Sequence, residues 1–283
     1  MEIRKVGVVG CGLMGSGIAE VAARSGYEVL VSEANPQLLD RGLKAIQGSL
    51  RRAQERGKAT PEEVKSTLDR VRGTAELGDF RDRDLVIEAI TENLELKKQV
   101  FARLDQVCPP GAILASNTSC LSVTALAMAT KRPSQVVGLH FFNPAPVMKL
   151  VELVKTLLVS PQTLDAARSF ARSLGKTVVE APDSPGFIVN RLLTPFMLEA
   201  IRLYEGGAVT REDLDQGVVL GLNHPMGPLA LADLVGLDTL LFVADAIYDE
   251  FRDPRFAAPL LLRRMVTAGY LGRKSGRGFY EYK

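Results

Sequence analysis

The chain has 283 residues, of which 46% are hydrophobic and 24% charged, a balance that excludes disordered and fibrous classes. Lys plus Arg number 35 against 33 Asp plus Glu, a formal charge of +2, so there is no cationic surplus and no nucleic-acid partner is expected. At roughly 100–200 residues per domain the length predicts two domains. No segment approaches the ~18 consecutive apolar residues of a membrane span, so no membrane association is expected. Cys11, Cys108 and Cys120 are scattered, without the spacing of a disulfide framework or a zinc site. The first residues lead straight into a strand-like run, so no signal peptide is expected. The expected compartment is the reducing cytoplasm, and no metal centre is expected.

A first strand over 5–9 runs into Gly10-Cys11-Gly12-Leu13-Met14-Gly15 and then a helix. Gly10 permits the tight turn, Gly12 lets backbone approach a pyrophosphate, and Gly15 lets helix pack on strand. The phosphates would sit on the helix N-terminus. A second strand over 28–32 ends at Glu33, whose carboxylate accepts from ribose hydroxyls and repels a 2′-phosphate, so the cofactor is expected to be NAD, not NADP. Residues 36–68 read as a charged helical hairpin with Arg51, Arg52 and Arg56. Strands over 84–88 and 112–115 follow, the latter ending in Ser116-Asn117-Thr118-Ser119. That polar run supplies hydroxyl and amide donors, or is a plain turn.

The strand over 136–141 carries His140, one of two histidines in the chain, at the edge where ligands bind in such sheets. Glu152 lies inside the apolar run Leu150-Val151-Glu152-Leu153-Val154, and a carboxylate so embedded needs a partner. If residues 143–146 reverse the chain, the two meet across neighbouring strands, giving a base whose tautomer and imidazolium are held by the carboxylate. The other histidine, His224, sits in a turn and reads as structural. A helix over 161–174, a strand over 177–180 and a cluster of turn formers lead to helices over 187–204, 211–220, 229–251 and 259–268. The predicted architecture is α/β: a Rossmann-like, doubly wound, mainly parallel sheet with an inserted helical hairpin over 1–183, and a smaller all-α domain over 184–283. The apolar helices of the second domain predict a homodimer formed through it.

Several ordered motifs carry a family resemblance: the glycine run from Gly10, Glu-Ala-Ile-Thr-Glu-Asn from Glu88, Ser-Asn-Thr-Ser from Ser116, and His-Phe-Phe-Asn-Pro from His140. It continues in Pro-Gly-Phe-Ile-Val-Asn-Arg from Pro185, Pro-Met-Gly-Pro from Pro225 and Gly-Arg-Gly-Phe-Tyr from Gly276. The sequence resembles the L-3-hydroxyacyl-CoA dehydrogenase family, in its stand-alone type acting on 3-hydroxybutyryl-CoA. The resemblance implies reversible, NAD-dependent oxidation of an acyl-CoA thioester in fatty-acid β-oxidation. It makes His140 the base and Glu152 its orienting partner, and places Ser119 and Asn190 on the substrate. It also matches Leu13, Met14, Glu92, Lys97, Asn143 and Lys274 to the cofactor alongside the glycines and Glu33, and Ser49 and Arg56 to the CoA moiety. Spacing alone reads Lys97 and Lys274 as surface cations. Three departures stand out: Glu33 for a frequent Asp, Arg56 for a Lys, and Cys120 for a Ser. Two other readings stay open on the residues, a free 3-hydroxyacid dehydrogenase, which would rely on a lysine, and a non-enzymatic NAD-binding relative.

Overall fold

The computed structural model describes residues 2–282, and the chain divides into two compact units, Met1–Asp183 and Ser184–Lys283. In chain order the first unit runs β1 (Lys5–Val9), α1 (Leu13–Arg24), β2 (Glu28–Ser32), α2 (Pro36–Glu55), α3 (Pro61–Asp69), β3 (Val71–Thr74) and β4 (Leu85–Glu88). It continues with α4 (Leu94–Val107), β5 (Ile113–Ser116), α5 (Val123–Ala127), β6 (Val136–Phe141), β7 (Leu150–Lys155), α6 (Pro161–Ser173) and β8 (Thr177–Pro182). The strands form one sheet in the order β3-β2-β1-β4-β5-β6-β7-β8. All neighbours are parallel except β6 and β7, which are antiparallel. The first six strands in that order have the arrangement of a doubly wound dinucleotide fold, with its switch point between β1 and β4.

Strand alternation decides what each face carries. Val6, Val8, Val31, Ile87, Leu139 and Leu153 join one buried apolar cluster with α1, α2 and α6. The intervening positions, including Glu88, Ser116, His140 and Glu152, therefore point from the opposite face. On that face Gly7 is covered by Phe80, whose ring would lie 2.4 Å from a Cβ at Gly7. The hairpin forms because each helix has its own start signal. Asn35 caps α2 by accepting from Leu38 N–H, and Thr60 with Glu63 makes a reciprocal capping box on α3.

The second unit is helical: α7 (Val189–Glu205), α8 (Arg211–Leu222), α9 (Pro228–Val235), α10 (Leu237–Phe251) and α11 (Leu260–Thr267). Its core gathers Leu198, Ile201, Leu229, Leu237, Leu240 and Phe279. Two buried carboxylates secure the C-terminal segment. Asp215 accepts from Leu229 and Ala230 N–H at the start of α9 and from the Tyr280 hydroxyl, while Asp233 accepts from Phe279 N–H, Tyr280 N–H and the Tyr282 hydroxyl. Two expectations change. The helix expected over 229–251 is two helices, broken where Gly236 turns to φ +99°, and β3 adds an edge strand where the sequence pattern predicts none. Among the described residues no helix is long and apolar enough to cross a membrane.

Candidate active site

The turn after β1 is built as the glycine pattern requires. Gly10 has φ +94°, and a Cβ there would meet the Ala89 carbonyl oxygen at 2.7 Å. A Cβ on Gly15 would lie 1.8 Å from the Gly10 oxygen, whereas one on Gly12 would meet nothing within 4 Å. That open position fronts the start of α1, where Gly12 offers no side-chain cap and the first turn holds no acid. The N–H groups and the dipole there favour an anion. At the end of β2, Glu33 Oε1 accepts from Cys11 N–H at 2.7 Å, which fixes the carboxylate against the glycine turn. A cavity of about 680 Å³ adjoins both, lined by Gly10, Gly12, Glu33, Leu38, Leu96 and Val100 among others. An apolar slot ending in one carboxylate beside an unblocked helix start fits an adenosine diphosphate group.

His140 and Glu152 stand directly opposite each other across the antiparallel β6–β7 pair. The Nδ1 of His140 lies 2.7 Å from Glu152 Oε2, with His140 6% and Glu152 0% exposed. A carboxylate on Nδ1 holds the hydrogen there and leaves the ring lone pair on Nε2. The Phe142 ring packs 4.6 Å away, centroid to centroid. The loop between the strands is pinned by Lys176, whose Nζ donates to the Ala145 and Met148 carbonyls at 2.6 and 2.7 Å. Asn143 sits exposed on that loop, before a cis bond to Pro144.

The Ser116–Ser119 segment is more than a turn. Asn117 Oδ1 accepts from Phe141 N–H at 2.8 Å, tying the segment to the strand of His140. Glu92 accepts from Ser119 N–H at 2.7 Å, from the Ser119 hydroxyl at 3.1 Å and from the Thr118 hydroxyl at 2.9 Å. Lys97 is not a surface cation, since it is 1% exposed and donates to Glu88 Oε1 at 2.6 Å. Its four-carbon stem carries the charge inward from α4 to the sheet. Sequence reasoning passed over Glu88 and Thr118. The signal was there, because Glu88 closes the apolar run Leu85-Val86-Ile87, the same context that singled out Glu152. Burial pushes the neighbouring Cys120 thiol up to about 12, so it stays protonated and takes no nucleophilic part.

Other expected residues belong to α2 and to the second unit. Ser49, on α2, lies beside the buried Glu20 of α1, while Arg56, exposed, closes α2. In the second unit Asn190 lies half-buried in the first turn of α7. Lys274 pairs with Asp238 at 2.6 Å, and His224 is exposed with its ring against Phe196.

A doubly wound sheet with an open glycine turn, a carboxylate at the ribose position and a buried His–Glu pair defines a dinucleotide-dependent oxidoreductase. Residues 5–184 match the family model for the 3-hydroxyacyl-CoA dehydrogenase NAD binding domain, and residues 186–282 match that for its C-terminal domain. The chain belongs to the 3-hydroxyacyl-CoA dehydrogenase family, and its cofactor is NAD. It is 52% identical to the 3-hydroxybutyryl-CoA dehydrogenase of Mycobacterium tuberculosis over 282 residues, 99% of each chain. It is 47% identical to the probable 3-hydroxybutyryl-CoA dehydrogenase of Bacillus subtilis over 283 residues, 100% of this chain and 99% of that one. The crystal structure of (S)-3-hydroxybutyryl-CoA dehydrogenase from Ralstonia eutropha superposes with a TM-score of 0.95 at 44% identity, covering 100% of both chains.

Proposed function

We propose that the chain reversibly oxidises a short-chain L-3-hydroxyacyl-CoA, 3-hydroxybutyryl-CoA, to the 3-ketoacyl-CoA, with His140 as the general base. The observation that carries this reading is the 2.7 Å contact of His140 Nδ1 with the fully buried Glu152. Bound NAD supplies the hydride acceptor. His140 Nε2 takes the proton of the 3-hydroxyl, and Glu152 stabilises the imidazolium that this creates. Ser119, held by Glu92, positions the substrate oxygen, and Asn190 is the substrate residue of the second unit. Gly10, Gly12, Leu13, Met14 and Gly15 receive the pyrophosphate and Glu33 the ribose, while Glu92, Lys97, Asn143 and Lys274 complete the cofactor contacts. Ser49 and Arg56 face the CoA moiety, where a guanidinium suits bidentate phosphate contact.

On this reading the unit over 1–183 binds NAD, and the unit over 184–283 binds substrate and forms a homodimer. Three buried, unpaired cysteines suit the reducing cytoplasm. The test is NADH consumption with acetoacetyl-CoA beside free acetoacetate. The expected result is turnover with the thioester and little with the acid. Equal turnover of the free acid would make this a 3-hydroxyacid dehydrogenase, and none with either would favour a non-enzymatic NAD-binding role.

A further inference from the structure

Two acidic residues share one ammonium beneath the Ser119 segment. Glu88, 0% exposed, accepts from Lys97 Nζ at 2.6 Å, from Ile90 N–H at 2.7 Å and from the Ser116 hydroxyl at 2.7 Å. The same Nζ lies 3.4 Å from Glu92 Oε2. Lys97 thus has unequal carboxylate partners, a short contact to Glu88 and a longer one to Glu92, and its Nζ also donates to the Ile90 carbonyl at 3.2 Å. Glu92 meanwhile accepts from Thr118 and Ser119. Burying such a cluster is costly unless its charges and hydrogen bonds are mutually satisfied, and Glu88 is the nearer of the two carboxylates to the ammonium.

We propose that Glu88 is a positioning residue for the reaction: by holding the Lys97 ammonium to itself, it leaves the Glu92 carboxylate on the Ser119 segment and so fixes the Ser119 hydroxyl. The inference rests on the substrate role given to Ser119 above. Glu88 acts only through Lys97 and Glu92. The attraction between unlike charges falls with distance and is strong where water is excluded. Neutralising Glu88 therefore redirects Lys97 to Glu92, the other carboxylate within its reach, and Glu92 turns from Ser119 to the ammonium.

A double-mutant cycle on the full chain, with NAD and 3-hydroxybutyryl-CoA, tests this. Glu88→Gln keeps the side-chain shape and is expected to lower kcat about tenfold, the scale of one charged hydrogen bond, with KM for the acyl-CoA unchanged within about twofold. In a Ser119→Ala background the same change costs no more than about a further twofold, because the two residues act as one unit. Glu88→Asp keeps the charge and recovers most of the turnover, and its own cycle with Ser119→Ala carries the test if the Gln variant does not fold. An impaired Ser119→Ala whose factor multiplies with that of Glu88 overturns this inference alone. A Ser119→Ala variant with full turnover overturns it together with the substrate role of Ser119.

Discussion

His140 has the attributes of a base because its neighbours supply them: a carboxylate on Nδ1 and a place near the carboxyl end of a parallel strand. His140→Ala is expected to reduce kcat at least ~100-fold, the lower range for losing a general base. NADH affinity, measured by fluorescence titration, stays near that of the parent, because β4 and β5 lie between the strand of His140 and the strand that leads into the glycine turn. Turnover near normal would remove His140 from the mechanism. This pair was legible because strand alternation exposes a charge set among apolar residues. The Glu88–Lys97 pair was not, since a lysine on an amphipathic helix reads as surface until its long stem is seen to reach inward. A different fate meets Glu20, whose carboxyl is raised above its ordinary value because burial outweighs the Ser49 hydrogen bond and the Arg24 and Arg52 charges. A folded-state value above the unfolded one means the folded chain holds a proton that the unfolded chain gives up. Stability from this residue is thus fully present below the unfolded value and is lost as pH rises through the raised one. Glu20→Gln should raise the Tm at pH 8 by about 2 °C, the shift of somewhat under ~1 kcal/mol in a chain of this size. The gain should shrink towards pH 5. A Tm lowered at pH 8 would show that Glu20 contributes more through Arg24 and Arg52 than its burial costs.

The helical hairpin is joined to the nucleotide turn by one residue. Gly42 lies buried on α2, between Leu39 and Ile46 on its apolar stripe. A Cβ at this position would meet Cys11 Sγ at 2.3 Å and the Cys11 carbonyl oxygen at 2.4 Å. The sulfur belongs to a short side chain and the oxygen to the glycine turn itself, so neither yields cheaply. Alanine in place of a mid-helix glycine ordinarily stabilises by ~0.5–1 kcal/mol; here the sign should reverse. Gly42→Ala is expected to lower the Tm by about 4 °C or more, as ~1–2 kcal/mol of overpacking would, and to raise KM for NAD about tenfold by displacing the turn. A Tm at or above that of the parent would mean that α2 moves away freely. Element by element, legibility followed how strongly each segment is patterned. The central strands are continuous apolar runs and stood out at once. The strand β3 reads Val-Arg-Gly-Thr at the edge of the sheet, with no alternation to find. The break at Gly236 was hidden because apolar periodicity continues on both sides, while the left-handed turn that ends α9 depends on a single residue.

At the scale of the whole molecule, burial within one chain leaves a surplus on the second unit. Leu220 is 73% exposed, Leu222 61% and Leu260 53%, with Leu203, Leu234 and Phe242 also at the surface. Single exposed leucines are ordinary, but a helical unit whose core is already filled by Leu198, Leu229, Leu237 and Leu240 has no internal use for so many more. Each fully buried side chain of this size gains ~1.5–3 kcal/mol on leaving water, and pairing two copies of one face is the commonest way for a chain to bury such a surplus. Light scattering coupled to size exclusion should therefore give twice the chain mass of 30.7 kDa. Leu220→Glu, at a position 73% exposed in its own chain, should shift the particle towards monomer at micromolar concentration while leaving the helical content unchanged by circular dichroism. A parent chain that elutes with monomer mass would sink the dimer. A Leu220→Glu variant that stays dimeric would move the interface to another part of the helical unit.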